Sequence, residues 1–251
     1  MDGVLYHGEH ALPGAIHFMQ SIAQIPHAFI TNNPILPANA VADRLQRLGF
    51  QRPDANKIIT SAEATALYLS QQQTNFRYFA VGANGLHLAL QAHGIEDHHA
   101  ADYVVIGEGA AINYELISIG VNLILKHGAQ LICTNPDPSV DGFKDGKHFI
   151  LPGGGALVAP FAIAAETDPL FIGKPHPLLY EIALQRLGVQ AQDCLMIGDR
   201  PDTDIIGAAT LGMKTALVRT GRFAPSMPLP EAMKKPDWDV AGLAQLMELF
   251  E

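Results

Sequence analysis

The chain has 251 residues, 25 acidic and 16 basic, for a formal net charge of −9. Hydrophobic residues make up 48% and charged ones 16%, which excludes a disordered chain, while the acidic balance argues against a binder of nucleic-acid backbones. No apolar run reaches the roughly 18 residues of a membrane span, and two cysteines, Cys133 and Cys194, are too few for a disulfide framework.

That length predicts one to two domains. The cysteines sit in apolar runs and read as reduced core thiols of a cytoplasmic protein. The chain opens on Met1-Asp2-Gly3-Val4-Leu5 with no signal-peptide pattern. His27-Ala28-Phe29-Ile30 is a short apolar run that leads into Thr31-Asn32-Asn33-Pro34. Val41, Leu45 and Leu48 then recur at helical spacing, with Gly49 as a stop. Thr60-Ser61-Ala62-Glu63 fits a capping box that opens a second helix. Residues 76–81 and 103–106 predict strands that end at Gly82 and Gly107. Ile112, Leu116, Ile119 and Leu123 predict an amphipathic helix between the second of these strands and another at 131–133.

Residues 134–155 are the least regular stretch: 11 of the 22 are Gly, Pro or Asp. This predicts a functional or flexible loop. Beyond it, Leu170-Phe171-Ile172 runs into Gly173-Lys174-Pro175. A helix is expected over 177–187 and closes at Gly188. Cys194-Leu195-Met196-Ile197 runs into Gly198-Asp199, and a further helix, a strand at 215–218 and a helix at 243–250 complete the chain. Strands alternating with helices predict an α/β fold with a mostly parallel sheet.

In such sheets ligands sit beyond the carboxyl ends of the strands. The groups that follow apolar runs are therefore the candidates: Thr31, Asn32 and Asn33; Lys174; Asp199 and Asp204; and Asp2, if a strand precedes it. Asp199 can offer a carboxylate to Mg²⁺, a hard cation that takes oxygen ligands. Lys174 offers a fixed positive charge, and Thr31 and Asn32 offer neutral donors. Asp2 can protonate a leaving oxygen and later take a proton from water. These are parts that phosphoryl transfer requires. A nucleophile is not among them.

Four segments, Met1-Asp2-Gly3-Val4-Leu5-Tyr6, Phe29-Ile30-Thr31-Asn32-Asn33, Ile172-Gly173-Lys174-Pro175 and Ile197-Gly198-Asp199 through Asp204, resemble in order the four motifs of haloacid-dehalogenase-type phosphatases. The branch they resemble is the NagD-like one, which includes nitrophenyl-phosphatase, phosphoglycolate-phosphatase and nucleotide-monophosphatase relatives. The resemblance implies a doubly wound, Rossmann-like parallel-sheet core, residues 1–75 and 169–251, with an inserted α/β cap at 76–168. It implies a Mg²⁺-dependent hydrolase of phosphomonoesters of small metabolites, such as nucleotide monophosphates or sugar phosphates. It matches Asp2 to the general acid/base, whose backbone carbonyl also ligates Mg²⁺, and Thr31, Asn32 and Asn33 to the phosphate-binding segment. It matches Lys174 to the lysine that steadies nucleophile and phosphate, Asp199 to a metal ligand and Asp204 to an acidic residue of the metal site. Asn135, Asp137 and residues 153–155 would face the substrate from the cap, and two copies would pair through their caps.

The family's nucleophile lies two positions before the one Asp2 matches. The expectation is that the reading frame upstream of Met1 encodes an apolar strand ending in that Asp. The alternative is a catalytically inactive form that binds a phosphate ligand or a partner.

Blander readings stand beside these. Asp202 would cap the helix that follows it, and Thr31-Asn32-Asn33-Pro34 would be a turn. Asp137-x-Ser139-x-Asp141-Gly142 imitates an EF-hand start, but His148 stands where the bidentate Glu belongs. Residues 107–112 half-match a dinucleotide fingerprint, with Glu108 placed against a pyrophosphate, so an oxidoreductase is disfavoured. His98-His99 beside Asp97 reads as surface histidines, and Gly153-Gly154-Gly155 as a flexible loop-to-helix joint.

Overall fold

The structure is a computed structural model. It describes residues 1–109, 112–144, 147–230 and 233–250. The chain divides into two compact units, one of residues 1–30, 41–58 and 174–251, the other of residues 31–40 and 59–173.

The first unit begins with a short hairpin, β1 (Tyr6–His7) and β2 (His10–Ala11), then α1 (Ala15–Ser21). The chain crosses to the second unit within β3 (Phe29–Thr31) and returns within α2 (Ala38–Arg47), which buries Val41 and Leu45 as the spacing predicts, together with Ala42, while Leu48 is half-buried beyond its end. It crosses again within β4 (Ile58–Thr60), the partner of β3.

The second unit is built on a five-stranded parallel sheet. Its strands are β5 (Arg77–Val81), β6 (Ile95–Glu96), β7 (Tyr103–Ile106), β8 (Gln130–Cys133) and β11 (Leu170–Phe171), in the order β11-β8-β7-β5-β6. Its helices are α3 (Ser61–Gln72), α4 (Asn84–Gln91), α5 (Tyr114–His127) and α6 (Gly154–Ala165). The Thr60 side chain caps α3 as the sequence predicts: its hydroxyl accepts from the Glu63 N–H at 3.1 Å. Phe79, Val81, Val104, Ile106, Leu131 and Cys133 alternate along three strands and meet Leu123 of α5 with Val158 and Phe161 of α6 in one buried cluster, which Ile112, Leu116 and Ile119 border. Register aligns the strand ends. Val81 pairs with Ile106, Ile106 with Cys133, and Cys133 with Phe171, so the residues that follow β7 and β8 share one rim. Because β11 pairs with β8, this sheet continues past Asp168.

The stretch 134–155 is not an irregular loop. It contains an antiparallel hairpin, β9 (Ser139–Lys144) and β10 (Lys147–Pro152), paired from Ser139–Pro152 to Lys144–Lys147. Composition hid it, although Asp145-Gly146 is a favoured hairpin dipeptide; that pair lies outside the described residues, as do Ala110 and Ala111 of the half-matched fingerprint.

After Gly173 the chain returns to the first unit. Helix α7 (Leu178–Leu187) closes at Gly188, whose φ of 67° favours glycine. A parallel sheet follows, β12 (Leu195–Gly198), β13 (Lys214–Val218) and β14 (Trp238–Val240), with α8 (Ile206–Thr210) and α9 (Leu243–Glu248). A cavity of about 660 Å³ is lined by Phe29 and Ile30 of β3 and by Leu195, Met196 and Ile197 of β12. Among the described residues β12 pairs only with β13, and β3 only with β4. No helix among the described residues is long and apolar enough to cross a membrane.

Gly120 tests the packing of α5 on α6. A Cβ there would sit 2.7 Å from Cε1 of the fully buried Phe161. Gly→Ala inside a helix ordinarily stabilises by about 0.5–1 kcal/mol. Here Gly120→Ala is expected instead to cost about 1–3 kcal/mol by overpacking, and Phe161→Leu in the same chain to restore part of it, read by urea denaturation.

Candidate active site

In the first unit the site grows from the end of β12. The strand stops at Gly198, and the chain turns through Asp199 and Arg200 into a π-helical turn, Pro201–Ile205. Asp204 reaches back from that turn. Its Oδ1 accepts from Lys174 Nζ at 2.6 Å, and its Oδ2 accepts from the N–H of Asp199 at 3.2 Å and of Arg200 at 3.1 Å. Lys174 and Asp204 are 7% and 3% exposed. Burial pushes the Asp204 carboxyl up, but Lys174, the Met1 amine and the Arg200 N–H together outweigh it, and the net shift is below the usual range.

Asp199 is buried beside this pair. Burial first, and Asp204 second, push its carboxyl up to about 6. Its Oδ2 takes a long contact, 3.4 Å, from the Arg222 N–H. Two glycines make room for it: a Cβ on Gly221 would stand 1.9 Å from Asp199 Oδ2, and one on Gly3 2.4 Å.

The Asp2 side chain is half-exposed, with Oδ1 3.6 Å from His7 Nδ1. Partial burial raises its carboxyl against the opposing pull of the Met1 amine, His7 and Arg44. The structure thus brings Lys174, Asp199 and Asp204 together. Among the described residues no three His, Cys, Asp or Glu side chains gather into a metal-binding group. Asp202 does not cap a helix as expected. Both of its oxygens accept from the Arg200 guanidinium, at 2.9 and 2.6 Å, and the N–H groups of Asp204 and Ile205 that it would cap donate to the Arg200 carbonyl instead, at 2.8 and 3.3 Å.

In the second unit, Thr31, Asn32 and Asn33 form a hydrogen-bonded turn. Thr31 Oγ1 accepts from the Asn33 N–H at 3.2 Å, and Asn33 Oδ1 from the Ile35 N–H at 2.8 Å. The Asn32 carbonyl accepts from Ser61 Oγ at 2.6 Å and Asn135 Nδ2 at 2.9 Å. Asn32 Nδ2 donates to Asp137 Oδ2 at 2.9 Å. Asn135 and Asp137 are therefore buried within this network. Gly153 to Gly155 pack tightly on them rather than forming a loose joint: a Cβ on Gly153 would stand 2.2 Å from the Asp137 carbonyl oxygen.

Glu108 belongs to the same network, and the spacing argument passed over it. Its Oε1 accepts from Asn135 Nδ2 at 2.7 Å and from the Gly154 N–H at 3.4 Å. Burial pushes its carboxyl up to about 7; the Asn135 amide opposes this and the Asp137 charge adds to it. The available signal was positional: Glu108 follows β7 as Asn135 follows β8. Both cysteines are free thiols, and burial pushes Cys133 up to about 12, leaving it inert.

Two family models match the chain: haloacid dehalogenase-like hydrolase over residues 1–96 and HAD-hydrolase-like over residues 171–246. An acid sugar phosphatase of Staphylococcus epidermidis is 36% identical over 88% of this chain and 85% of its own length. The chain belongs to the haloacid-dehalogenase family, in its NagD-like branch. Among solved structures, NagD from E. coli K-12 matches with a TM-score of 0.85 at 28% identity, covering 98% of this chain and 95% of that one. A thermostable NPPase double mutant from Geobacillus stearothermophilus matches with a TM-score of 0.86 at 30% identity, covering 97% and 94%. A glycerol phosphate phosphatase from Mycobacterium tuberculosis, solved in complex with magnesium, matches with a TM-score of 0.85 at 29% identity, covering 98% and 74%.

Asp204→Ala leaves a buried lysine without its carboxylate and is expected to cost about 3–5 kcal/mol in urea denaturation. Glu108 gives a pH signature. Its folded-state value, about 7, lies above the ordinary 4.5, so the native state holds the extra proton between those values. Stability is expected to fall as pH rises from about 4.5 to about 7, by on the order of 3 kcal/mol. Glu108→Gln should flatten that slope in denaturation curves taken across the window.

Proposed function

We propose that the chain hydrolyses phosphomonoesters of small metabolites, such as sugar phosphates or nucleotide monophosphates, with Mg²⁺. The observation that carries this reading is the buried Lys174–Asp204–Asp199 cluster at the carboxyl end of a parallel strand in a member of a hydrolase family. The names of the relatives, for sugar phosphate and glycerol phosphate, support the substrate class.

The residues fit a hard cation held by few protein ligands. Asp199 is a buried carboxylate crowded by a second one and pushed up to about 6, a state that a divalent cation relieves. Gly3 and Gly221, having no side chains, admit the Asp199 carboxylate at this rim. Asp199 would hold Mg²⁺, with the Asp2 backbone carbonyl and waters completing an oxygen shell. Asp204, expected at the metal, is assigned instead to holding Lys174 and the 199–200 main chain, since both its oxygens are engaged there. When bound, the cation neutralises charge on the phosphoryl oxygens.

Asp2 is the proposed general acid, and later the base toward water. Burial raises its carboxyl from the ordinary value, the direction a general acid needs. Lys174 supplies the fixed positive charge for phosphoryl oxygens, and Thr31, Asn32 and Asn33 the phosphate-binding segment of the second unit. The proposed nucleophile is the Asp that the family carries two positions before the one Asp2 matches. The segment 76–168 would be the cap. The same reading makes the protein cytoplasmic, without nucleic-acid or membrane partners, and a homodimer through the caps.

The test is phosphate release from nitrophenyl phosphate and a panel of sugar phosphates and nucleotides, with and without Mg²⁺, by the 251-residue chain and by the chain extended upstream in its reading frame. The extended protein is expected to turn over substrate only with Mg²⁺. Asp199→Ala is expected to lower kcat/KM by about 10²-fold or more, and Asp2→Asn by about 10²–10⁴-fold. No hydrolysis by either form would favour the inactive, ligand-binding reading.

A further inference from the structure

We propose that Glu108 is a positioning residue for the phosphate-binding segment: through Asn135 it fixes the main chain of Asn32 and so sets the affinity of that segment for phosphate. The proposal rests on the assignment of residues 31–33 to phosphate binding.

The geometry is a two-step relay inside the second unit. Asn135 Nδ2 donates to Glu108 Oε1 at 2.7 Å and to the Asn32 carbonyl at 2.9 Å, which uses both of its hydrogens. Asn135 Oδ1 accepts from the Asp137 N–H at 3.1 Å. The amide therefore has one satisfactory orientation. Turned over, it would set an oxygen against Glu108 Oε1 and the Asn32 carbonyl, two acceptors. Asn135 is fully buried and Glu108 2% exposed, so an amide left without its acceptor cannot turn to water. Glu108 itself is held at the rim by β7 and by the Gly154 N–H at the start of α6.

The acceptor role survives titration. Among the described residues Glu108 Oε2 has no hydrogen-bond partner, so a proton there leaves Oε1 free to accept. The groups that face the carboxyl are the Asn135 amide, the Gly154 N–H, the Asp137 carboxylate and the Cys133 thiol. Besides the Asn135 amide, the donor to Oε1 among them is the Gly154 N–H, at a long 3.4 Å. A loosened Asn32 would have to be ordered by the ligand, a cost that falls on binding rather than on the chemical step.

The experiment compares the full chain, in its active form, with Glu108→Met and Glu108→Gln. Methionine fills a similar volume without an acceptor, and glutamine keeps one. Three readouts are taken: deuterium exchange of the peptide covering residues 31–35, the Kd for inorganic phosphate, and KM and kcat for nitrophenyl phosphate. Glu108→Met is expected to speed exchange at 31–35 and raise Kd and KM about tenfold, with kcat within about threefold. Glu108→Gln should match the parent within about twofold. A purely structural role would lower the active fraction, and hence kcat, with KM, Kd and exchange at 31–35 unchanged; that result overturns the proposal. If Glu108→Met does not fold, Glu108→Gln still decides, because a tenfold loss of phosphate affinity with the acceptor kept also overturns it. If the parent protein neither binds phosphate nor hydrolyses esters, the functional reading fails, while exchange at 31–35 still reports whether Glu108 orders that segment.

Discussion

The rim of the first unit at the end of β12 depends on one buried ion pair, Lys174 with Asp204. Taking two charges out of water costs several kcal/mol each, and a lone Coulomb contact does not reliably return it. Here the remaining carboxylate oxygen is also used, by two backbone N–H groups at the end of β12. The arrangement satisfies the charge and at the same time locks the main chain from which the Asp199 side chain projects. Stability and site geometry are thus the same interaction. The cost appears at Asp199, which sits beside the pair, is pushed up to about 6 and carries strain of an electrostatic kind that a cation relieves.

The second unit solves a related problem with neutral groups. Three parallel strands end in register, and each leaves backbone and side-chain polar groups at the rim. Buried polar groups must find partners. The Asn135 amide does most of this, joining Glu108, Asn32 and Asp137 in one network. Close packing of Gly153 to Gly155 against residues 135–137 leaves no room for side chains there. This network sits where ordinary strand-end logic expects a ligand, yet it is buried and turned toward holding another segment of the chain.

Much of the architecture was legible because it rests on local physics. Helix starts and stops followed from Thr60 and Gly188, and strands from apolar runs that end at Gly82 and Gly107. The hairpin at 139–152 was not legible from composition, because Gly, Pro and Asp mark tight turns and mobile loops alike. Asp202 and Asp204 show the same limit at the site. Two carboxylates two residues apart on a turn are equivalent in sequence, and only the direction each side chain takes assigns one to a surface arginine and the other to a buried lysine.

The sequence by itself determined the class of fold, the order of its elements and the short list of groups able to handle a phosphate, since periodicity, capping and motif spacing are properties of neighbouring residues. Tertiary structure decided which of those groups meet. The bond between Asn135 and Asn32 spans 103 positions and that between Asn135 and Glu108 spans 27. The Asn135–Glu108 bond forms because parallel pairing aligns the ends of β7 and β8, and register between distant strands is set by packing of the whole core rather than by any local pattern.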